Sequence, residues 1–190
     1  MPTPEEMLDA VGDSIHRRTG RAMSDWVALV DASGIDPLDQ NAVRRWLKDT
    51  HGVPQNTQWA IADEAARKAG WVRPTPEQYA EQQYTGAKAG LRPVFDAVRA
   101  AATAIADDVT MEGRATYVPF VRKRQFAAVA AATATRADQG LRLPDPPDNP
   151  RLRPAKAPGQ STHKVALTSV DDVDDDLRGL LQAAYDQNGP

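Results

Sequence analysis

The spacing of apolar residues changes after Asp107-Asp108, and that change constrains the fold more than any other feature. Upstream, apolar residues recur at helical intervals. Downstream, VTMEG, ATYVPFV, QFAAVAAAT and HKVALTS are short runs rich in β-branched or aromatic residues, bounded by turn or charged residues. ATRADQGLRL is a weaker strand candidate, because Asp138 and Gly140 interrupt it. Strands that follow one another without intervening helices imply a largely antiparallel sheet, since parallel neighbours need long crossovers. Pro119, inside its run, predicts an edge strand or a bulge, because proline has no N–H for the ladder.

Residues 1–69 read as a helical domain. Met7, Leu8, Val11 and Ile15 share one helix face; Ser24 is the expected N-cap of DWVALVDAS. Asp36-Pro37 opens LDQNAVRRWLKDTHG, with Leu38, Val43, Trp46 and Leu47 as its expected buried stripe. Gly52 ends that helix and Pro54 suits the first turn of a fourth. Trp26, Trp46 and Trp59 would fill a small bundle. GWVRPTP (70–76) breaks helix geometry and reads as a linker. Residues 77–190 form the second domain. Pro93 fits the first turn of a helix carrying Val94, Phe95, Val98 and Ile105. The Pro-rich stretch 144–161 is an expected exposed loop. Val173, Leu177, Leu180, Leu181 and Tyr185 form the buried side of a terminal helix whose acidic start complements the helix dipole. The expected fold is α+β: a four-helix module, then an antiparallel sheet of four or five strands flanked by two helices on one face.

Composition narrows the function classes. None of the 190 residues is Cys, which excludes disulfides, Cys-ligated zinc, iron–sulfur clusters and thiol nucleophiles. MPTPEEML lacks a signal-peptide layout, and the longest apolar run, AAVAAATA at 127–134, is too short to span a bilayer. A cytoplasmic protein without membrane contact is expected. The net charge of −3 conceals an asymmetry. Residues 88–164 hold 13 Lys+Arg against 7 Asp+Glu, whereas residues 165–190 hold 1 against 6. The basic region could attract an anion or an acidic partner; alternatively, the acidic terminal helix lies beside it and neutralises part of it.

Three site readings follow. In ATYVPFVRKRQFAAV (115–129), Arg122, Lys123 and Arg124 could hold phosphate or carboxylate, with Tyr117 and Phe120 as stacking surfaces. With Arg136 and His163 they would accept an anionic small molecule or an acidic protein surface; otherwise they are a solvated hairpin turn. His163 shares a strand face with Val165 and Leu167, and is either a general base, a pocket donor or a structural residue. Gln55, Asn56 and Gln58 could read adenine edges in nucleic acid. Lys48 and Gln58 at positions where a helix-turn-helix wants a small and an apolar residue argue against that. So does the acidic balance of residues 1–73, 9 Lys+Arg against 11 Asp+Glu. There is no phosphate-binding Gly loop and no G-x-S-x-G, and His16, His51 and His163 lack metal-ligand spacing, so no catalytic residue, cofactor or metal is expected. DDVDDD (171–176) is read as a helix start, not as a cation loop.

TPEEMLDAVGDSIHRRTGRAMSDWVALVDASGI, followed by VRRWLKDTHGV, resembles a small helical domain of unknown function common in bacteria, typified by TGKSxEEW and WLKxxHG. YTGAKAGLRPVFDAV, ATYVPFVRKRQFAAV, TATRADQGLRL and THKVALTSVDDVDDDL resemble its frequent companion, a second, α+β domain of unknown function. The resemblance implies the order of two domains and carries no activity. It departs from pattern at Val53-Pro54-Gln55-Asn56-Thr57, and at Gln139, where the family is usually apolar.

Overall fold

The computed structural model describes residues 14–189, and the chain divides into two compact units after Arg73. Met7, Leu8 and Val11 therefore lie outside the described residues.

In the first unit, residues 14–19 are helical and three helices follow: α1 (Met23–Ala32), α2 (Gln40–His51) and α3 (Gln55–Lys68). Ile15, Trp26, Val27, Val30, Val43, Leu47, Val53 and Ile61 make its core. Trp26 also donates its indole N–H to Thr19 Oγ1 at 2.9 Å. The expected cap of α1 is corrected: the helix begins after Ala22, which makes no side-chain capping bond, so Ser24 lies inside it. Asp39 caps α2, its carboxylate accepting from Ala42 N at 2.9 Å. Leu38 precedes that cap and is 53% exposed, so it is not part of the stripe. Gly52 ends α2 at φ 62°, a left-handed conformation that favours glycine. Trp59 also departs from expectation. It is 51% exposed, and the apolar face of α3 is instead Ile61, Ala62 and Ala65.

The second unit opens with α4 (Pro76–Gln83), held by a capping box between Thr75 and Gln78, then a 3-10 turn, Gly86–Leu91, and α5 (Arg92–Thr103). Six strands follow: β1 (Thr110–Met111), β2 (Val118–Val121), β3 (Gln125–Ala131), β4 (Ala137–Leu141), β5 (Arg153–Pro154) and β6 (His163–Leu167). Their order is β1-β2-β3-β4-β6-β5, antiparallel throughout. The last helix is α6 (Asp175–Asp186). The architecture is α+β, as the change of apolar spacing predicts. The extra strand, β5, is a two-residue pairing inside the Pro-rich loop.

The sheet has two unlike faces. Val118, Phe120, Ala127, Val129, Leu141, Val165 and Leu167 pack with Val94, Phe95 and Val98 of α5 and Leu177, Leu181 and Tyr185 of α6. Each fully buried Phe or Leu there contributes about 2 kcal/mol of burial. Gln139 sits in this layer, fully buried between Val129 and Val165 in register, with its amide donating to Gly140 O at 3.0 Å. The pairing slips by one residue where Phe120 faces Ala127 but Val121 faces Gln125. The extra residue, Phe126, therefore joins Ala127 on the helix side, edge-on to the Tyr185 ring at 5.6 Å, while Gln125 turns to the opposite face. Pro119 is the neighbour of that bulge. Its carbonyl accepts from Glu112 N on the β1 side, so its missing N–H faces the side where pairing has ended.

The second face is floored by small residues and crossed by the chain after β5. Pro158 and Ser161 lie directly over Gly140, and Gly159, at φ 61°, lies against the Gln125 side chain. β4, the weak candidate by sequence, is central and entirely buried. Gly140 is needed because a Cβ there would meet Pro158 Cδ at 2.7 Å, and Asp138 is matched by two cations described below.

Candidate functional site

The β2–β3 hairpin distributes its charges to both sides of the sheet. Arg122 turns toward α6. Its Nε donates to Asp108 Oδ2 at 3.0 Å and its guanidinium stacks 4.1 Å from the Tyr185 ring centroid. Tyr185 donates its hydroxyl to Asp108 Oδ1 at 2.7 Å. That bond, and then Arg122, hold the Asp108 carboxyl below its usual range; the same bond raises the Tyr185 phenol. Arg122 is thus engaged in holding the sheet to the helix.

Lys123 and Arg124 turn the other way. They line a cavity of about 310 Å³ on the second face with Glu112, Arg114, Tyr117, Pro119, Gln125 and Gln160. Arg114 is paired with Glu112 at 2.7 Å. Lys123 and Arg124 form no ion pair among the described residues, so the cavity keeps two uncompensated cations. Gln125 is 8% exposed, and its amide nitrogen has no hydrogen-bond partner among the described residues. Gln160 accepts from Arg142 Nη1 at 2.8 Å, which leaves its amide N–H groups as donors. Tyr117 is half-buried and also lines a second cavity, of about 380 Å³, bounded by Ala130, Asp138, Lys164 and the Ala157–Gly159 segment. Asp138 occupies the charges nearby: its Oδ2 accepts from Lys164 Nζ at 2.6 Å, and its Oδ1 lies 2.9 Å from Arg136 Nε.

The six residues singled out from the sequence therefore do not share one surface. Tyr117, Lys123 and Arg124 line one cavity. Arg122 is spent on Asp108 and Tyr185, and Arg136 on Asp138. Phe120, read as a stacking surface, is fully buried in the core. His163 is half-buried at the start of β6, paired with Leu141 in register, with Nδ1 3.0 Å from Thr162 Oγ1; it lines neither cavity. Gln58 is buried and donates to Val53 O at 2.5 Å, whereas Gln55 and Asn56 are exposed. The acidic terminal helix does neutralise part of the basic loop: Arg151 Nη1 lies 2.7 Å from Asp174 and 3.2 Å from Asp176. Among the described residues, no group of three His, Asp or Glu is placed to hold a metal ion, and no helix is long and apolar enough to cross a membrane.

Sequence reasoning missed Gln125 and Gln160. The bulge that separates Gln125 from Phe126 has no signature in QFAAV, and Gln160 reaches the hairpin only because the Pro-rich segment crosses the sheet.

These features define a two-unit α+β protein whose sheet has one helix-covered face and one face with a basic cavity. The chain belongs to the family described as Domain of unknown function (DUF5655), whose profile matches residues 80–188; a second profile, Domain of unknown function (DUF4287), matches residues 8–67. No curated protein and no solved structure matches the chain.

Proposed function

We propose that this is a non-enzymatic, cytoplasmic binding protein whose α+β unit takes a small organic anion in the cavity between Tyr117, Lys123, Arg124 and Gln125. The observation that carries the reading is Gln125. An amide buried without a partner costs roughly 1–3 kcal/mol, and a ligand oxygen that reached it past the Gly159 backbone lying against it would satisfy it. Lys123 and Arg124 supply charge complementarity, and Gln160 a further donor. The ligand carries a carboxylate or phosphate and is small enough for about 310 Å³.

A thermal-shift screen with inorganic phosphate, phosphosugars and polycarboxylates tests this. A ligand at about a hundred times its Kd stabilises the folded state by about 2.7 kcal/mol. At least one of these anions is expected to raise the Tm of the wild type and not of Lys123→Ala/Arg124→Ala. Equal responses of the two proteins, or no response to any anion, overturn the reading.

A further inference from the structure

The helical unit has an opening of its own. α2 places Arg44, Arg45 and Lys48 along a groove of about 430 Å³, which α3 completes with Gln55 and Trp59. Trp59 leaves half its surface in water, unlike Trp26, which is buried. The Arg44 guanidinium lies over the Trp59 ring, 3.4 Å from its centroid, and its other partner is the Asn41 side chain. Among the described residues, the ion pairs of this unit join Arg67 to Asp63 and Glu64, Lys68 to Asp31, and Arg73 to Asp63. Arg44, Arg45 and Lys48 take no part in them.

Three cations on one helix, without an ion pair among the described residues, repel each other, and an anion relieves that repulsion. A flat, half-exposed indole with a guanidinium stacked on it is a platform for another planar ring. Gln55 lies in the first turn of α3, where the helix dipole adds positive potential. We infer that this groove binds single-stranded nucleic acid: a base stacks on the Trp59–Arg44 pair while successive phosphates meet Arg45 and Lys48. An acidic peptide would satisfy the cations and leave the indole in water. A free mononucleotide would use one phosphate group where the groove offers a row of cations. Gln58 reads no base here, because its amide is committed to Val53 O.

The test is fluorescence anisotropy of the full chain with a labelled oligothymidylate. Two phosphate-contacting cations, Arg45 and Lys48, give an expected slope of about −1.4 in log K against log salt. Arg45→Gln/Lys48→Gln should bring the slope close to zero. Trp59→Ala should weaken binding roughly tenfold and leave the slope unchanged. All three side chains lie at the groove surface, so unchanged melting temperatures serve as the folding control. Lys123→Ala/Arg124→Ala, which alters the sheet cavity, should bind the strand as the wild type does. The inference is overturned by absence of binding at low salt, or by groove variants that bind like the wild type. It is also overturned if thymidine monophosphate or polyglutamate competes as well as the strand, or if binding depends on Lys123 and Arg124 instead.

Discussion

Gln125 and Arg122 stand three residues apart in one hairpin and do opposite work. Gln125 is buried with an unpaired amide nitrogen, a stability cost that makes sense beside a binding cavity. Gln125→Leu removes the unpaired group at similar volume. It should stabilise the free protein by about 1 kcal/mol and abolish the anion-induced rise in Tm. Thermal unfolding with and without ligand checks both halves; a variant that keeps the ligand response shows that the amide is not used. Arg122 is anchored by Asp108 and Tyr185. Arg122→Ala should lower Tm yet preserve the ligand response, the reverse of Gln125→Leu. The same melting experiment separates them. The triplet Arg122-Lys123-Arg124 reads in sequence as one basic patch. Only the positions of Tyr185 and Asp108, distant along the chain, decide which of its members is free.

At the level of elements, the strength of β4 comes from residues that look like interruptions. Asp138 is a poor strand residue by itself but is buried between Lys164 and Arg136. Gly140 is the strand's point of closest approach, lying under Pro158 and Ser161. Gly140→Ala would push a methyl into that loop and should destabilise the protein by about 1–3 kcal/mol, measured by denaturant unfolding. If the loop shifts to accommodate the methyl, the cavity lined by Ala157, Pro158 and Gly159 changes shape with it. Apolar patterning made β2, β3, β6 and α6 legible, because their cores repeat with period two or 3.6. β4 is only half legible, since Lys164 over Asp138, and Pro158 and Ser161 over Gly140, lie more than a dozen residues away. The exposure of Trp59 is hidden in the sequence for a related reason. Aromatic residues on a short amphipathic helix read as core, and only the packing of Ile61 and Ala65 shows that α3 turns another side inward.

Across the whole molecule, the modest net charge is the remainder of local neutralisation. Asp172 accepts from the backbone N–H groups of Thr168 and Ser169 at 2.6 and 3.0 Å, and Asp174 caps α6 through Leu177 N at 2.9 Å. These bonds hold both carboxyls below their usual range, as the Tyr185 hydroxyl does for Asp108. A lowered folded pKa means that the stabilisation is complete above the unfolded carboxylate range, about 4, and is lost as pH falls through the folded values. The Tm should therefore be level from about pH 7 to 5 and fall steeply below about pH 4. Asp172→Asn should make that acid limb shallower, as calorimetry across the range would record; an unchanged limb would show that Asp172 does not contribute to it. The ends of the sheet have a consequence of another kind. β1 and β5 are two residues each, and β5 includes Pro154. Where β1 stops short, the next stretch of β2 contains Pro119. An incoming strand would find too few donors on either side to grow the ladder. The backbone of this sheet is thus closed to extension, which protects a β-rich unit from stacking into fibres and obliges any protein partner to recognise it by side chains alone.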